Sequence, residues 1–122
     1  MAGFSGSAAP AVATESNGPF SYLDAGGEQD VHESTATTRR RATLVFNNRN
    51  MTQTGTFRFY IKTDGTNYDL DTTSAVTVSA GNDRVFRIEL VTNQNYRLTY
   101  QEDANEGADR NIDFQAIEEP LE

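Results

Sequence analysis

The chain has 122 residues, enough for one domain, and its 18 acidic against 10 basic side chains give a formal net charge of −8. An acidic surface of this kind cannot neutralise phosphates, and no apolar run is long enough to span a bilayer, so we expect neither a nucleic-acid nor a membrane partner. Cysteine is absent, which excludes disulfides, thiolate metal sites and cysteine nucleophiles.

Residues 1–40 are predicted to form an extended, low-complexity arm. They are mainly Gly, Ala, Ser, Thr and Glu, and burying their large apolar side chains would contribute about 10–15 kcal/mol. Fixing this many backbones costs about 40 kcal/mol or more, so the segment cannot fold alone. Either neighbouring subunits order it, or it adds a strand to its own sheet, for which residues 19–23 are the best candidate. The large apolar side chains are those of Phe4, Val12, Phe20, Tyr22, Leu23 and Val31.

Three consecutive arginines, Arg39, Arg40 and Arg41, close the predicted arm. A short charge run is most often a solvated strand entrance. Because the chain is acidic, two functional alternatives remain: an ion-pairing site for an acidic neighbour and a processing site. His32, the only histidine, is predicted to be a surface residue, with a pH-sensitive contact to a neighbour as the alternative.

From residue 42 onward, apolar and polar residues alternate in short segments separated by turn residues, and no helical period occurs. This pattern predicts an all-β fold: an antiparallel β-sandwich, immunoglobulin-like or jelly-roll-like, over residues 41–117, followed by an acidic tail at residues 118–122. A chain without residues 1–38 should then still fold but no longer assemble. The predicted strands are residues 42–46, 56–62, 67–70, 75–79, 84–90, 96–100 and 111–116.

The strand at residues 56–62 is the clearest, and its alternation sets which side chains are buried. Inward positions on this and other strands are apolar, whereas four of seven outward positions are basic. If the strands are neighbours, these side chains form a basic patch that would orient an acidic subunit. Otherwise they pair across strands with carboxylates such as Glu89. The seven outward residues are Arg58, Tyr60, Lys62, Arg87, Glu89, Arg97 and Thr99.

No arrangement of side chains indicates catalysis. The single histidine lies in a segment with little to hold it beside a serine and an aspartate, and no Gly-rich stretch carries the lysine of a phosphate-binding loop. We therefore predict no enzymatic activity and no cofactor. The acidic loop at residues 101–110 is predicted to be solvated, with a structural cation near Asp103, Glu106 and Asp109 as the less favoured alternative.

The order of strands over residues 42–100 resembles that of immunoglobulin-like and fibronectin-III-like modules, which are common in archaeal and viral structural proteins. The resemblance is carried by residues 43–48, 57–61 with Asp64-Gly65-Thr66 behind them, 76–81, 86–90 and 96–100. The cysteine pair and core tryptophan of antibody domains are missing, which excludes that type. The resemblance implies a scaffold or binding module.

Lys62 is the only lysine, and the low Lys, high Asp and Glu and frequent Thr resemble the proteins of salt-loving archaea and their viruses. The alternative is an ordinary acidic protein in which lysine is scarce by chance. Together the resemblances imply a non-enzymatic virion protein, a capsid decoration, minor capsid or tail component, made in the host cytoplasm. Its partners would be major capsid or tail subunits and copies of itself. The alternative is a cell-surface binding or adhesion module. The predicted contact residues are Phe4, Phe20, Tyr22, Leu23, Arg39, Arg40, Arg41, Arg58, Arg87 and Arg97.

Overall fold

The structure is a computed structural model that describes residues 13–71, 76–81 and 83–121, and this part of the chain consists of strands and their connections. It contains no helix that could cross a membrane. The strands are β1 (Thr14–Asn17), β2 (Phe20–Tyr22), β3 (Gln29–Ser34), β4 (Arg40–Asn47), β5 (Gly55–Lys62), β6 (Tyr68–Leu70), β7 (Val76–Val78), β8 (Phe86–Thr92), β9 (Tyr96–Glu102) and β10 (Arg110–Pro120).

These strands form two antiparallel sheets. Sheet 1 has the order β1-β10-β4-β8, with β2 also paired to β10, and sheet 2 has the order β3-β9-β5-β6, with β7 also paired to β5. Because β1 and β2 pair with successive stretches of β10, they are two segments of one edge strand. The same relation joins β6 and β7 to the two ends of β5. The predicted antiparallel sandwich is thus confirmed.

The strand order identifies which kind of sandwich this is. Apart from the connections within the pair β1 and β2 and within the series β5 to β7, every connection carries the chain from one sheet to the other. With two four-stranded sheets, this alternation is the order of a jelly roll. Immunoglobulin sandwiches instead keep several consecutive strands side by side in one sheet. The resemblance to immunoglobulin-like modules was therefore right about the architecture and wrong about the strand order.

Aromatic rings fill the space between the sheets. Phe46 of sheet 1 packs against Phe57 of sheet 2 with ring centroids 4.6 Å apart, and Phe57 lies 4.7 Å from Tyr100. The inward positions of β8 are only partly buried, because β8 is the edge strand of sheet 1. The predicted inward residues that are fully buried on β4 and β5 are Leu44, Phe46, Phe57 and Phe59.

Residues 14–34 belong to the sandwich, which corrects the predicted boundary between arm and domain at residue 40. β1 and β2 extend sheet 1 along β10, and β3 extends sheet 2 along β9. Tyr22 has no exposed surface, and Val31 is 5% exposed. The backbone ladders supply the order that the composition does not reveal. The alternative, a strand added to the chain's own sheet at residues 19–23, describes β2, whereas residues 1–12, with Phe4, lie outside the described residues.

The acidic C-terminal segment is also part of sheet 1, which corrects the predicted tail. β10 continues to Pro120 and places Glu118 opposite Ala42 and Glu119 opposite Arg41. The N–H of Leu121 donates to the carbonyl of Arg39 over 3.1 Å. This register sets the acidic end of β10 beside the basic start of β4, where opposite charges across an antiparallel pair are favourable.

Candidate interaction surfaces

The outer face of sheet 2 carries stacked tyrosine and basic side chains. Alternate residues of a strand face one side, and Tyr60 on β5 lies directly opposite Arg97 on β9. The Arg97 guanidinium lies 4.6 Å from the Tyr60 ring centroid and 4.7 Å from that of Tyr68, both favourable cation–π contacts. The Lys62 ammonium lies 5.0 Å from the Tyr68 ring. We call the set of Arg58, Tyr60, Lys62, Tyr68 and Arg97 the Arg97 ladder.

A row of carboxylates borders the Arg97 ladder along β3. The two arginines of the ladder, Arg58 and Arg97, lie 3.8 Å from Glu28 and 3.8 Å from Asp30, respectively. The Tyr68 hydroxyl donates to Glu33 over 2.6 Å, and the Tyr60 hydroxyl donates to Glu28 over 2.5 Å. We call the set of Glu28, Asp30 and Glu33 the acidic row.

Hydrogen bonds fix the ionisation of these groups. Burial opposes the charged form of Glu28, but hydrogen bonds from Thr99 and Tyr60 outweigh it, so the pKa of Glu28 is lowered. Burial, followed by the hydrogen bond to Glu33, raises the pKa of Tyr68 to about 12. Glu28 is therefore charged and Tyr68 neutral at pH 7, and the network between ladder and row keeps its pattern of donors and acceptors.

The structure brings together only part of the predicted basic patch. Arg58 and Arg97 share the outer face of sheet 2, on the paired strands β5 and β9. Arg87 lies on β8 of sheet 1, opposite Val45, so it faces away from them. Glu89 on the same strand accepts from the Thr43 hydroxyl over 3.4 Å. The condition for a single patch, that the strands are neighbours, is met by β5 and β9 but not by β8, which joins the other sheet.

The run of three arginines has two exposed members and one buried member. Arg39 and Arg41 are exposed, whereas Arg40 is 2% exposed and points between the sheets. Its Nη2 donates to Ser34 Oγ over 2.9 Å and to the Gln94 carbonyl over 3.0 Å. Arg40 therefore has no surface to offer a partner, which corrects its predicted contact role.

The acidic neighbour of this run is Glu118 of the same chain. Glu118 Oε2 lies 3.2 Å from Arg40 Nε, and the carboxylate also accepts a hydrogen bond from the Tyr96 hydroxyl. Burial alone would raise the pKa of Glu118, but hydrogen bonds from Tyr96, Ser34 and Arg40 lower it. The pair thus locks the start of β4 to the end of β10.

The remaining predicted contact residues of the N-terminal region differ in exposure. Leu23 is 55% exposed, Phe20 is partly buried, and Tyr22 is buried. The Tyr22 hydroxyl donates to the Gly27 carbonyl over 2.5 Å and accepts from the N–H of Glu102 over 3.0 Å. Tyr22 is thus a core residue, which corrects its predicted contact role, whereas Leu23 remains on the surface.

The acidic loop at residues 101–110 is not simply solvated, because Glu106 is buried at 6% exposure. Its Oε1 accepts from the N–H and the hydroxyl of Thr52, both over 2.8 Å, and its Oε2 accepts from the N–H of Gln53 over 2.9 Å. Arg110 Nε lies 3.1 Å from Oε1. A cation near Asp103, Glu106 and Asp109 would have to displace these donors. The described residues contain no group of three metal-ligating side chains.

His32 is half-buried at the edge of the sandwich, which corrects its predicted place on the surface. Its ring centroid lies 5.7 Å from that of Phe114 and 6.1 Å from that of Tyr96. His32 Nε2 is buried and has no hydrogen-bond partner among the described residues. Burial lowers the pKa of His32, although the nearby carboxylates Glu118 and Glu33 act in the opposite direction.

This environment predicts a pH dependence. A histidine whose pKa is lowered in the folded state contributes stability that is present above its unfolded value, about 6.5, and is lost as pH falls through the folded value. Since His32 is the only histidine, its imidazole NMR signals should titrate with a midpoint below 6.5. Replacing the ring in a His32→Phe variant should remove the corresponding loss of unfolding free energy between pH 7.5 and pH 5.5. A midpoint at or above 6.5 would contradict this.

A groove of about 380 Å³ lies on the outside of sheet 1, where β1 gives way to β2 at Gly18 and Pro19. Val45 and Val85 contribute apolar walls, and among the described residues that line the groove Asp113 alone is titratable. One carboxylate without a second acid, base or nucleophile does not form an acid–base pair for hydrolysis.

The chain was compared with protein families, curated proteins and solved structures. No family model and no curated protein matches. A chain from the structure of Bacillus endospore appendages, described as a family of disulfide-linked pili, matches with a TM-score of 0.57 and 12% identity over 99% of this chain and 100% of that one. A chain of infectious bursal disease virus, Gx strain, matches with a TM-score of 0.49 and 14% identity over 98% of this chain and 36% of that one. At 12% identity, the likeness to the Bacillus chain shows that the two chains share a fold.

The sequence did not reveal the residues that hold these surfaces in place. Glu106 and Glu118 lie in stretches that the sequence predicts to be solvated acidic segments. The acidic row lies in the segment predicted to be an extended arm. One signal was present for Glu118: a basic run and an acidic run stand near opposite ends of the predicted sandwich, as antiparallel partners would. No comparable sequence signal marks Glu106 or the acidic row.

Proposed function

We propose that this protein is a non-enzymatic structural protein that works by assembling with other subunits. The observation that carries the proposal is the Arg97 ladder, an ordered surface of tyrosine and arginine, the residue types that contribute most to binding at protein interfaces. The jelly-roll fold shared with the pilus-forming Bacillus appendages supports a repeated assembly. Because this chain has no cysteine, its contacts would be non-covalent, unlike the disulfide links of those pili.

More specifically, the proposal is a virion protein of a virus that infects a halophilic archaeon: a capsid decoration, minor capsid or tail component. A single lysine among ten basic residues and a net charge of −8 fit a protein that remains hydrated in molar salt. Its partners would be major capsid or tail subunits and further copies of itself. The residues proposed for these contacts are Leu23, Arg39, Arg41, Arg58 and Arg97, which lie at the surface, and Phe4, which lies outside the described residues.

The direct test is the mass of the purified protein in solution, by light scattering, at low and molar salt. Salt screens the repulsion between copies of charge −8, so we expect particles larger than a monomer whose share increases with salt. Electron microscopy of the same samples should show a repeating object. A monomer at every salt and protein concentration would contradict self-assembly.

A cell-surface binding or adhesion module is the second candidate, and the fold shared with a spore appendage favours it. The two candidates differ in where the protein is found. A virion component should be present in purified particles at a fixed copy number per particle, as quantified by mass spectrometry. A surface module should fractionate with the cell envelope, and its complete gene should encode a secretory leader.

A further inference from the structure

We propose that the Arg97 ladder and the acidic row form one self-complementary surface, on which a second copy of this chain docks face to face. This inference rests on the proposed assembly function and names the contact that would produce it. The two copies would use the same patch, as subunits related by a two-fold axis do.

The Arg97 guanidinium has hydrogen-bond donors that no contact within the described residues satisfies. Its side chain is 32% exposed, and its guanidinium lies within 5 Å of the ring centroids of Tyr60 and Tyr68. Its Nε is buried and out of reach of a partner, but its ion pair with Asp30 through Nη1 is 3.8 Å long, beyond the length of a hydrogen bond. The exposed part of a guanidinium held in this way loses little entropy on binding and can donate to a carboxylate from a partner.

Charge indicates that the partner is a second copy. The ladder contributes three positive charges, from Arg58, Lys62 and Arg97, and the acidic row contributes three negative charges. The charges of these six side chains therefore cancel, and the rest of the chain, including Asp103 beside Thr56 at the margin of this face, carries the net charge of −8. Two copies repel each other least where each presents charges that cancel.

The arrangement of these charges also fits a second copy. The acidic row follows β3 at the edge of sheet 2, whereas the basic side chains project from the next two strands, β9 and β5. A two-fold axis parallel to the strands, between the edge strand and the centre of the sheet, sets the acidic row of each copy over the basic side chains of the other. The same contact between opposite charges then occurs twice, once on each side of the two-fold axis.

The expected strength follows from the size of the face. The three strands that would overlap, β3, β9 and β5, are six to eight residues long and present about 300 Å² per copy in projection. This area is below the roughly 800 Å² per partner of a standard interface, so one contact alone is weak, and repetition within an assembly would make it effective.

The first experiment compares Arg97→Gln with Arg87→Gln, which removes an arginine from the outer face of sheet 1. Both variants are checked for an unchanged thermal midpoint, and self-association of the full chain is measured by sedimentation velocity. We expect Arg97→Gln to weaken self-association about tenfold or more, and Arg87→Gln to change it less than twofold. If both variants associate like the wild type, the face is wrong while the assembly function stands. A wild type that never associates overturns both.

The second experiment does not depend on replacing a ladder residue. Because the chain has no cysteine, one introduced cysteine reports on one position. Gln101 is partly exposed on β9, opposite Thr56 on the ladder face and close to the proposed axis, and Val91 is 47% exposed on sheet 1. A short bismaleimide should cross-link Gln101→Cys into dimers at least tenfold faster than Val91→Cys. Equal rates, or faster cross-linking of Val91→Cys, would overturn the proposal.

Discussion

A chain that lacks residues 1–38 is expected not to fold. The deletion removes β1, β2 and β3 and so exposes the free edges of β10 and β9 at the same time. It also removes the buried side chains of Tyr22 and Val31, whose loss from the core costs about 5 kcal/mol together. That amount is comparable to the whole free energy of unfolding of a small domain, about 5–15 kcal/mol. This expectation replaces the stable truncated sandwich predicted from composition.

Circular dichroism during thermal and urea unfolding measures the effect, and a chain that begins at Ala13 is the matched control. The control retains all the strands found in residues 13–71, 76–81 and 83–121, so it should unfold cooperatively with the midpoint of the full chain. The shorter chain should show no cooperative transition. If the chain lacking residues 1–38 unfolds cooperatively, the N-terminal strands do not belong to the core.

The sequence predicts the strands after residue 40 because their alternation is strong. In β5 and β9, large apolar residues alternate with polar ones for several residues, and this pattern fixes both the strand and its buried face. The predicted strands at residues 56–62 and 96–100 accordingly agree with the structure within two residues at either end.

The strands before residue 40 were missed because their order comes from partners distant in sequence. β3 has a single buried large apolar residue, Val31, and β1 has none. Their backbone hydrogen bonds go to β9 and β10, more than sixty residues away in sequence. Local composition does not indicate which distant strand a segment pairs with. For the same reason, the sequence could not distinguish the jelly-roll strand order from the immunoglobulin strand order.

The candidate surface was predicted in part for the same reason. The outward direction of Arg58 and Arg97 follows from alternation and is correct. Tyr68 contacts Arg97 because β6 pairs with β5. Arg87 lies on the other sheet because β8 pairs with β4. Strand order, which the sequence leaves open, therefore decides which charges meet.

Replacing the buried arginine in an Arg40→Met variant is expected to lower the free energy of unfolding by about 2–4 kcal/mol. Methionine fills much of the same space but removes the donor to the Gln94 carbonyl and the ion-pair partner of Glu118, which keeps the hydrogen bond from the Tyr96 hydroxyl. An unpaired carbonyl and a partly buried carboxylate without its ion pair are both costly. Urea unfolding at pH 7 measures this effect.

The neighbouring arginine is the control, because Arg41 is exposed at the adjacent position of the same strand. An Arg41→Met variant removes the same charge and should change the free energy of unfolding by about 0.5 kcal/mol or less. Equal effects of the two substitutions would mean that net charge, and not the buried pair, sets the stability of this region.

The pH dependence of the unfolding free energy distinguishes the loss of the ion pair from the loss of packing. In the wild type, hydrogen bonds that include the one from Arg40 outweigh burial and lower the pKa of Glu118, so this stabilisation is present above about pH 4.5 and is lost as pH falls through the folded value. In the Arg40→Met variant, burial acts with less opposition and favours the protonated form. The stability difference between the two proteins should therefore shrink as pH falls from 7 toward 4. If the difference in unfolding free energy stays constant with pH, the cost comes from packing and from the unpaired Gln94 carbonyl. Glu118 would then not contribute to holding β4 and β10 together.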